Sequence, residues 1–209
     1  MATGRVMRTL AIDCSTEACS VALFNGESLL AHDHRVLGRG HAEHLVPMIA
    51  ALPDRGRATR ILVSRGPGSF TGVRIGLATA RALALAWSSD VLAYPALSII
   101  AAMAQARHPG EPVSVAMTGG HGEWFVGEFD AGGMPQGAVQ SLPPHHAAHQ
   151  AQHGLVAGSQ AEALVAARGH GTALNILPDA RHAQSIPAAL LSTDLAPQYG
   201  RAPDARVPA

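Results

Sequence analysis

Two short apolar runs open the chain, Thr9 to Asp13 and Ser20 to Phe24, and Asn25-Gly26 then supplies the residue pair that type I′ hairpin turns favour. Ser28 to Arg35 reads as a third strand. After Gly40, the stretch His41 to Leu52 places Leu45, Met48, Ile49 and Leu52 at helical spacing, and Pro53 ends it. Arg60 to Ser64 is a compact apolar strand. A glycine-rich loop leads from it into a helix over Thr71 to Ser88. Val91 to Tyr94 and Leu97 to Ala106 repeat the alternation of strand and helix.

A meander followed by alternating strands and helices predicts an α/β fold with a mixed sheet, because a doubly wound parallel sheet would begin with a strand-helix-strand unit. The order suits one lobe of an actin-like, ribonuclease H-like fold. Pro109-Gly110 marks a turn, so the lobe boundary is placed there, giving residues 1–106 and 107–209. Past it, Val113 to Met117 and Glu123 to Phe129 read as strands around Gly119-Gly120. Helices are expected near His145 to Gln152 and Gln160 to Ala167. Alanine, histidine, glycine and proline dominate beyond Pro143, so the second lobe reads as abbreviated, with a tail free to return to the first.

At 209 residues and 47% hydrophobic content the chain can bury a real core. Its 15 basic and 15 acidic residues cancel, which argues against a broad nucleic-acid surface. The apolar run Val73 to Trp87 carries Arg74 and Arg81 and is shorter than the roughly 20 residues a bilayer needs, so it reads as a buried helix. Cys14 and Cys19 lack a CxxC spacing and fit reduced thiols in the cytosol.

Asp13-Cys14-Ser15-Thr16 sits where actin-like ATPases wrap nucleotide phosphates with a tight hairpin. Cys14 and Ser15 replace its glycine-bearing turn, so Asp13, Ser15 and Thr16 read as a degenerate nucleotide site, or simply as a hairpin closed by side-chain bonds. The loop Gly66-Pro67-Gly68-Ser69-Phe70-Thr71-Gly72 lacks the Gly-Lys-Ser/Thr end of a Walker loop and the spacing of a dinucleotide fingerprint. Gly72, Gly76, Ala80, Ala84 and Ser88 recur every fourth residue, and Ala78, Ala82 and Ala86 form a second row. Such a smooth side admits a close backbone, whether from a partner chain or from within. Twelve histidines raise a metal hypothesis, with His41 and His44 in one group and His145, His149 and His153 in another. Neither has the HExxH pattern, and both read as solvated groups. No Ser-His-Asp set or carboxylate pair stands out, so no catalytic or metal residues are assigned.

LAIDCSTEACSVALFNG at Leu10 to Gly26, HAEHLVPMI at His41 to Ile49 and RGPGSFTGVRIGLATARALAL at Arg65 to Leu85 together resemble the TsaB (YeaZ-type) family of tRNA threonylcarbamoyladenosine biosynthesis proteins. Gly122-Glu123 with Phe125, and Pro197-Gln198-Tyr199-Gly200-Arg201, look like later landmarks of that family. The chain departs from the family where an Asp-Ala-Arg segment is usual, having Thr118-Gly119-Gly120.

The resemblance implies a two-lobed actin-like fold and a cytoplasmic, non-catalytic subunit. Such a subunit pairs with a TsaD-type transferase and a TsaE-type ATPase, self-associates when alone, and meets tRNA only indirectly. It implies no cofactor on this chain, with ATP and a metal belonging to the partners. It also turns the small-residue helix into an expected interface, lined by Gly68, Ser69, Phe70, Thr71, Gly72, Arg74, Gly76 and Ala80, with His41, Leu45 and Met48 beside it. The alternative is a phosphotransferase or metal-dependent transferase of the same fold acting alone; a peptidase finds no nucleophile.

Overall fold

The computed structural model describes residues 7–200. Strands β1 (Arg8–Asp13), β2 (Ala18–Asn25) and β3 (Ser28–Val36) form the expected antiparallel meander. The turn differs from the expected one: Asn25 stays paired with Ser28, and Gly26-Glu27 make the reversal with positive φ at Gly26 only, so the type I′ geometry is not adopted. Helix α1 (His41–Ala51), β4 (Arg60–Ser64), α2 (Phe70–Trp87) and β5 (Asp90–Tyr94) follow. Both β4 and β5 run parallel to β1, giving the order β3-β2-β1-β4-β5.

The same plan recurs after α3 (Ala96–Arg107). Strands β6 (Val113–Thr118), β7 (Trp124–Phe129) and β8 (Gln140–Leu142) form a meander. Then α4 (Pro144–Gln150), β9 (Leu155–Ala157), α5 (Ala161–Arg168) and β10 (Thr172–Leu174) complete a sheet ordered β10-β9-β6-β7-β8. The three-residue strands β8, β9 and β10 carry too few positions to show a period of two, which is why sequence periodicity passes over them.

Alternation along the long strands sets five layers. Leu10, Ile12, Ile61 and Val63 face α1 and α2 with Leu45, Met48, Val73 and Leu77. Ala11 and Leu62 face the middle layer instead, where α3 lies against Val113, Val115, Met117 and Phe129 of the second sheet. Residues Ala96 to Ala104 are buried on every side, as an all-round apolar helix must be. Ala116, Val126 and Val156 point to the far side, against Ala147 and Leu164 of α4 and α5.

Residues 180–200 then return to the first sheet. The 3-10 turn Ala180–Ser185 packs there, with the Ala180 N–H donating to Ser20 Oγ at 2.8 Å. Ser192 bridges to Ala93.

Candidate functional site

The loop between β4 and α2 is held from below by the hairpin turn between β1 and β2. The Ser69 N–H donates to the Ser15 carbonyl at 2.7 Å. A Cβ at Gly68 would collide with that carbonyl, and one at Gly72 would collide with the carbonyl of Cys14. Gly66, at φ +91°, lies against the Gln198 carbonyl. These glycines therefore serve close backbone approach, and Ser69 caps α2 by accepting from the Gly72 N–H.

This geometry corrects the orientation expected of the small-residue row. Gly72, Gly76 and Ala80 are buried against the chain's own sheet, where the nearest neighbours of Gly76 are Cys14 and Val63. His41, Leu45 and Met48 are likewise interior: His41 donates from Nε2 to the Ala18 carbonyl at 3.2 Å, tying α1 to β2. An interface on these helices would use the opposite face. Helical periodicity groups residues on one side but does not say which side meets the sheet.

The outward face of α2 carries Phe70, Arg74, Ala78, Arg81 and Leu85, and Ser69 and Thr71 are exposed at its start. Phe70 is 58% exposed and Leu85 87%. The Arg74 guanidinium lies 3.4 Å from the Phe70 ring centroid and donates to the Tyr199 hydroxyl at 2.7 Å. The Tyr199 ring sits 5.8 Å from that of Phe70. Exposed aromatics stacked with an arginine form a rigid amphipathic patch, the composition that dominates binding hot spots. Tyr199 comes from the returning tail, which Arg65 holds through the Asp194 carboxylate at 2.9 Å and through its own carbonyl to the Gln198 N–H at 2.7 Å. Arg81 adds a bond to the Leu195 carbonyl. Tyr199 lies 125 residues from Arg74, so no sequence spacing joins this tail landmark to the helix face.

Asp13 is 1% exposed. Its carboxylate accepts from the Ser15 N–H at 2.9 Å, the Ser15 hydroxyl at 2.6 Å and the Tyr94 hydroxyl at 3.0 Å. Burial pushes its pKa above the ordinary aspartate value, against the lowering effect of these bonds. Thr16 accepts from the Ala18 N–H and closes the turn. The turn is thus sealed by its own Ser15 and Thr16 together with Tyr94 from β5, which no local sequence pattern joins to it.

The corresponding place in the second lobe is also filled: Gly119 and Glu123 close the β6–β7 turn, and Thr118 bonds Ser159 and Gln160. The histidines separate. His145 and His149 line an open pocket of about 430 Å³ with Arg168 and His170, whereas His153 turns to Gln136 at 2.7 Å and Glu128 at 3.5 Å. Among the described residues no three His, Cys, Asp or Glu side chains converge as a metal cluster, and no helix is long and apolar enough to cross a membrane.

Comparison with known proteins joins these features. Residues 35–140 match the family model for TsaD, tRNA N6-adenosine threonylcarbamoyltransferase. The TsaB protein of Escherichia coli K12, a tRNA threonylcarbamoyladenosine biosynthesis protein, is 37% identical over 128 residues, covering 59% of this chain and 55% of its own length. TsaB of Haemophilus influenzae is 41% identical over 117 residues, covering 52% and 48%. The matched region thus spans about half the length of these curated relatives. The structure of YeaZ from Pseudomonas aeruginosa superposes with a TM-score of 0.80 at 30% identity, covering 92% of this chain and 99% of that one. With 92% of the chain matched by YeaZ at 30% identity and the TsaB relatives at 37% and 41%, the chain belongs to the TsaB (YeaZ-type) family.

Proposed function

We propose that this chain is a non-catalytic subunit of the machinery that installs threonylcarbamoyladenosine on tRNA, and that it works by docking a TsaD-type transferase on the outer face of α2. The observation that carries the reading is the exposed Phe70–Arg74–Tyr199 stack, continued along the helix by Arg81 and Leu85. The names of the curated relatives supply the pathway. A sealed Asp13 supports the non-catalytic assignment, because a phosphotransferase of this fold needs that carboxylate open to a metal-bound nucleotide. In this reading the chain works in the cytoplasm, a TsaE-type ATPase joins the assembly, ATP and metal reside in the partners, and tRNA is met through them. When no partner is present, the same face joins two copies of the chain.

The test is size measurement of the chain mixed with a TsaD-type subunit, paired with quantification of the modified nucleoside in cells. A stable complex is expected. Arg74→Glu or Leu85→Glu, both exposed, should dissociate it and lower the modification while leaving the fold intact. Separate monomers, together with full modification in the Arg74→Glu strain, would overturn the proposal.

A further inference from the structure

Cys14 and Cys19 face each other across the mouth of the β1–β2 hairpin, one step beyond the paired Asp13 and Ser20, with their sulfurs 3.6 Å apart. Both are free thiols, 2% and 0% exposed. The docking geometry described above does not require two sulfurs here. What it does require is that Cys14 stay in place, since Gly72 rests on its carbonyl and Gly76 against its Cβ and Sγ.

We infer that Cys14 and Cys19 are a redox-active pair that closes into a cross-strand disulfide when a small-molecule disulfide is the oxidant, and that closure is felt at the start of α2. The chemistry balances as two exchanges. One of the two thiols ionises and attacks one sulfur of the small disulfide, forming a mixed disulfide and expelling one thiolate. The other then gives up its proton and attacks the protein sulfur of that mixed disulfide, expelling the second thiolate, and the two released protons make both small products thiols. Two protein thiols are oxidised and one small disulfide is reduced to two thiols.

The hydrogen bond between the two sulfurs is shared, so either can be the attacking thiolate and the other the resolving thiol. Because both are covered, attack follows local opening of the 14–17 turn away from Gly68 and Ser69. A disulfide needs its sulfurs about 2 Å apart. Closure from 3.6 Å must therefore move Cys14, Cys19 or both, and any displacement of Cys14 reaches Gly72 and Gly76 by direct contact.

The experiment exposes the full chain to excess oxidised glutathione under native conditions, then alkylates it after denaturation. Loss of both thiols is expected, with a chain mass lower by two hydrogens and full recovery in dithiothreitol. Two alkylatable thiols, or a mass raised by glutathione, would overturn the pair as a disulfide site. Hydrogen exchange of the Gly72 to Gly76 amides reads the second half: closure should speed it roughly tenfold. Unchanged exchange in the oxidised chain, or the same acceleration in oxidant-treated Cys14→Ser, would overturn transmission to α2. These readouts do not depend on which partner docks.

Discussion

The two lobes are built to one plan and differ in what they leave uncovered. In each, a meander is followed by a helix, a strand parallel to the first, a second helix and another parallel strand. In each, the second helix begins where a glycine packs on a carbonyl at the end of the first strand or just beyond it: Gly68 on Ser15 and Gly72 on Cys14 in one lobe, Gly158 on Ala116 in the other. The outcomes differ in scale. Helix α2 has 18 residues and an exposed face, whereas α5 has eight and packs against α4. The first lobe ends its leading strand on a buried Asp13, whose pKa burial raises, and the second ends its own on Thr118. The lesson is that the glycine-on-carbonyl contact belongs to both lobes, while the exposed Phe70–Arg74 patch belongs only to the lobe with the longer helix.

The largest effects should come from the shared contact. Gly72→Val drives a side chain into the Cys14 carbonyl and should cost about 3 kcal/mol or more, read as the urea midpoint. Gly158→Ala, at φ +117° and against Ala116, should cost about 2 kcal/mol. A loss well under 1 kcal/mol at Gly158 would show that the two lobes do not share the device. Next is a lock particular to the second lobe. Arg168 donates to the carbonyls of Ala151, His153 and His170, and Arg168→Ala should lower stability by about 2 kcal/mol.

Tyr94→Phe removes the hydroxyl on Asp13 and should cost about 1 kcal/mol. The same carboxylate should make the first lobe sensitive to pH. Its folded pKa is raised, so its contribution is complete below the ordinary aspartate value and is lost as pH rises through the folded value. Urea midpoints of Asp13→Asn should lack that decline. The smallest effect is expected from Asp194→Ala, whose urea midpoint should stay close to that of the unaltered chain, because the ion pair with Arg65 is exposed.

The first lobe was legible because its strands are long enough to alternate and α2 long enough to show its rows. From β1 to α3 each strand and α-helix falls within two residues of the expected bounds. In the second lobe β6, β7, α4 and α5 also fall within two residues of their expected bounds, and what was not legible is β8, β9 and β10, three residues each and too short to show a period. The segment between β4 and α2 was legible as a loop, but the direction of Gly72 and Gly76 was not. It depends on the hairpin turn reaching up to meet them, a contact between residues more than 50 positions apart. Tyr94 and Tyr199 escaped for the same reason, since each acts on a residue brought near only by the finished fold.

The returning tail also carries a consequence for the order of folding. Ser192 pairs with Ala93 and Gln198 with Arg65, so the first sheet and the patch on α2 are finished by some of the last described residues. The loop that must close is on the order of a hundred residues, an entropic cost that grows only slowly with length but delays the contact. During synthesis the first lobe would emerge with α2 formed and Tyr199 not yet made. Until Tyr199 has been translated, a nascent chain would therefore carry Phe70 and Arg74 without the ring that stacks beside them.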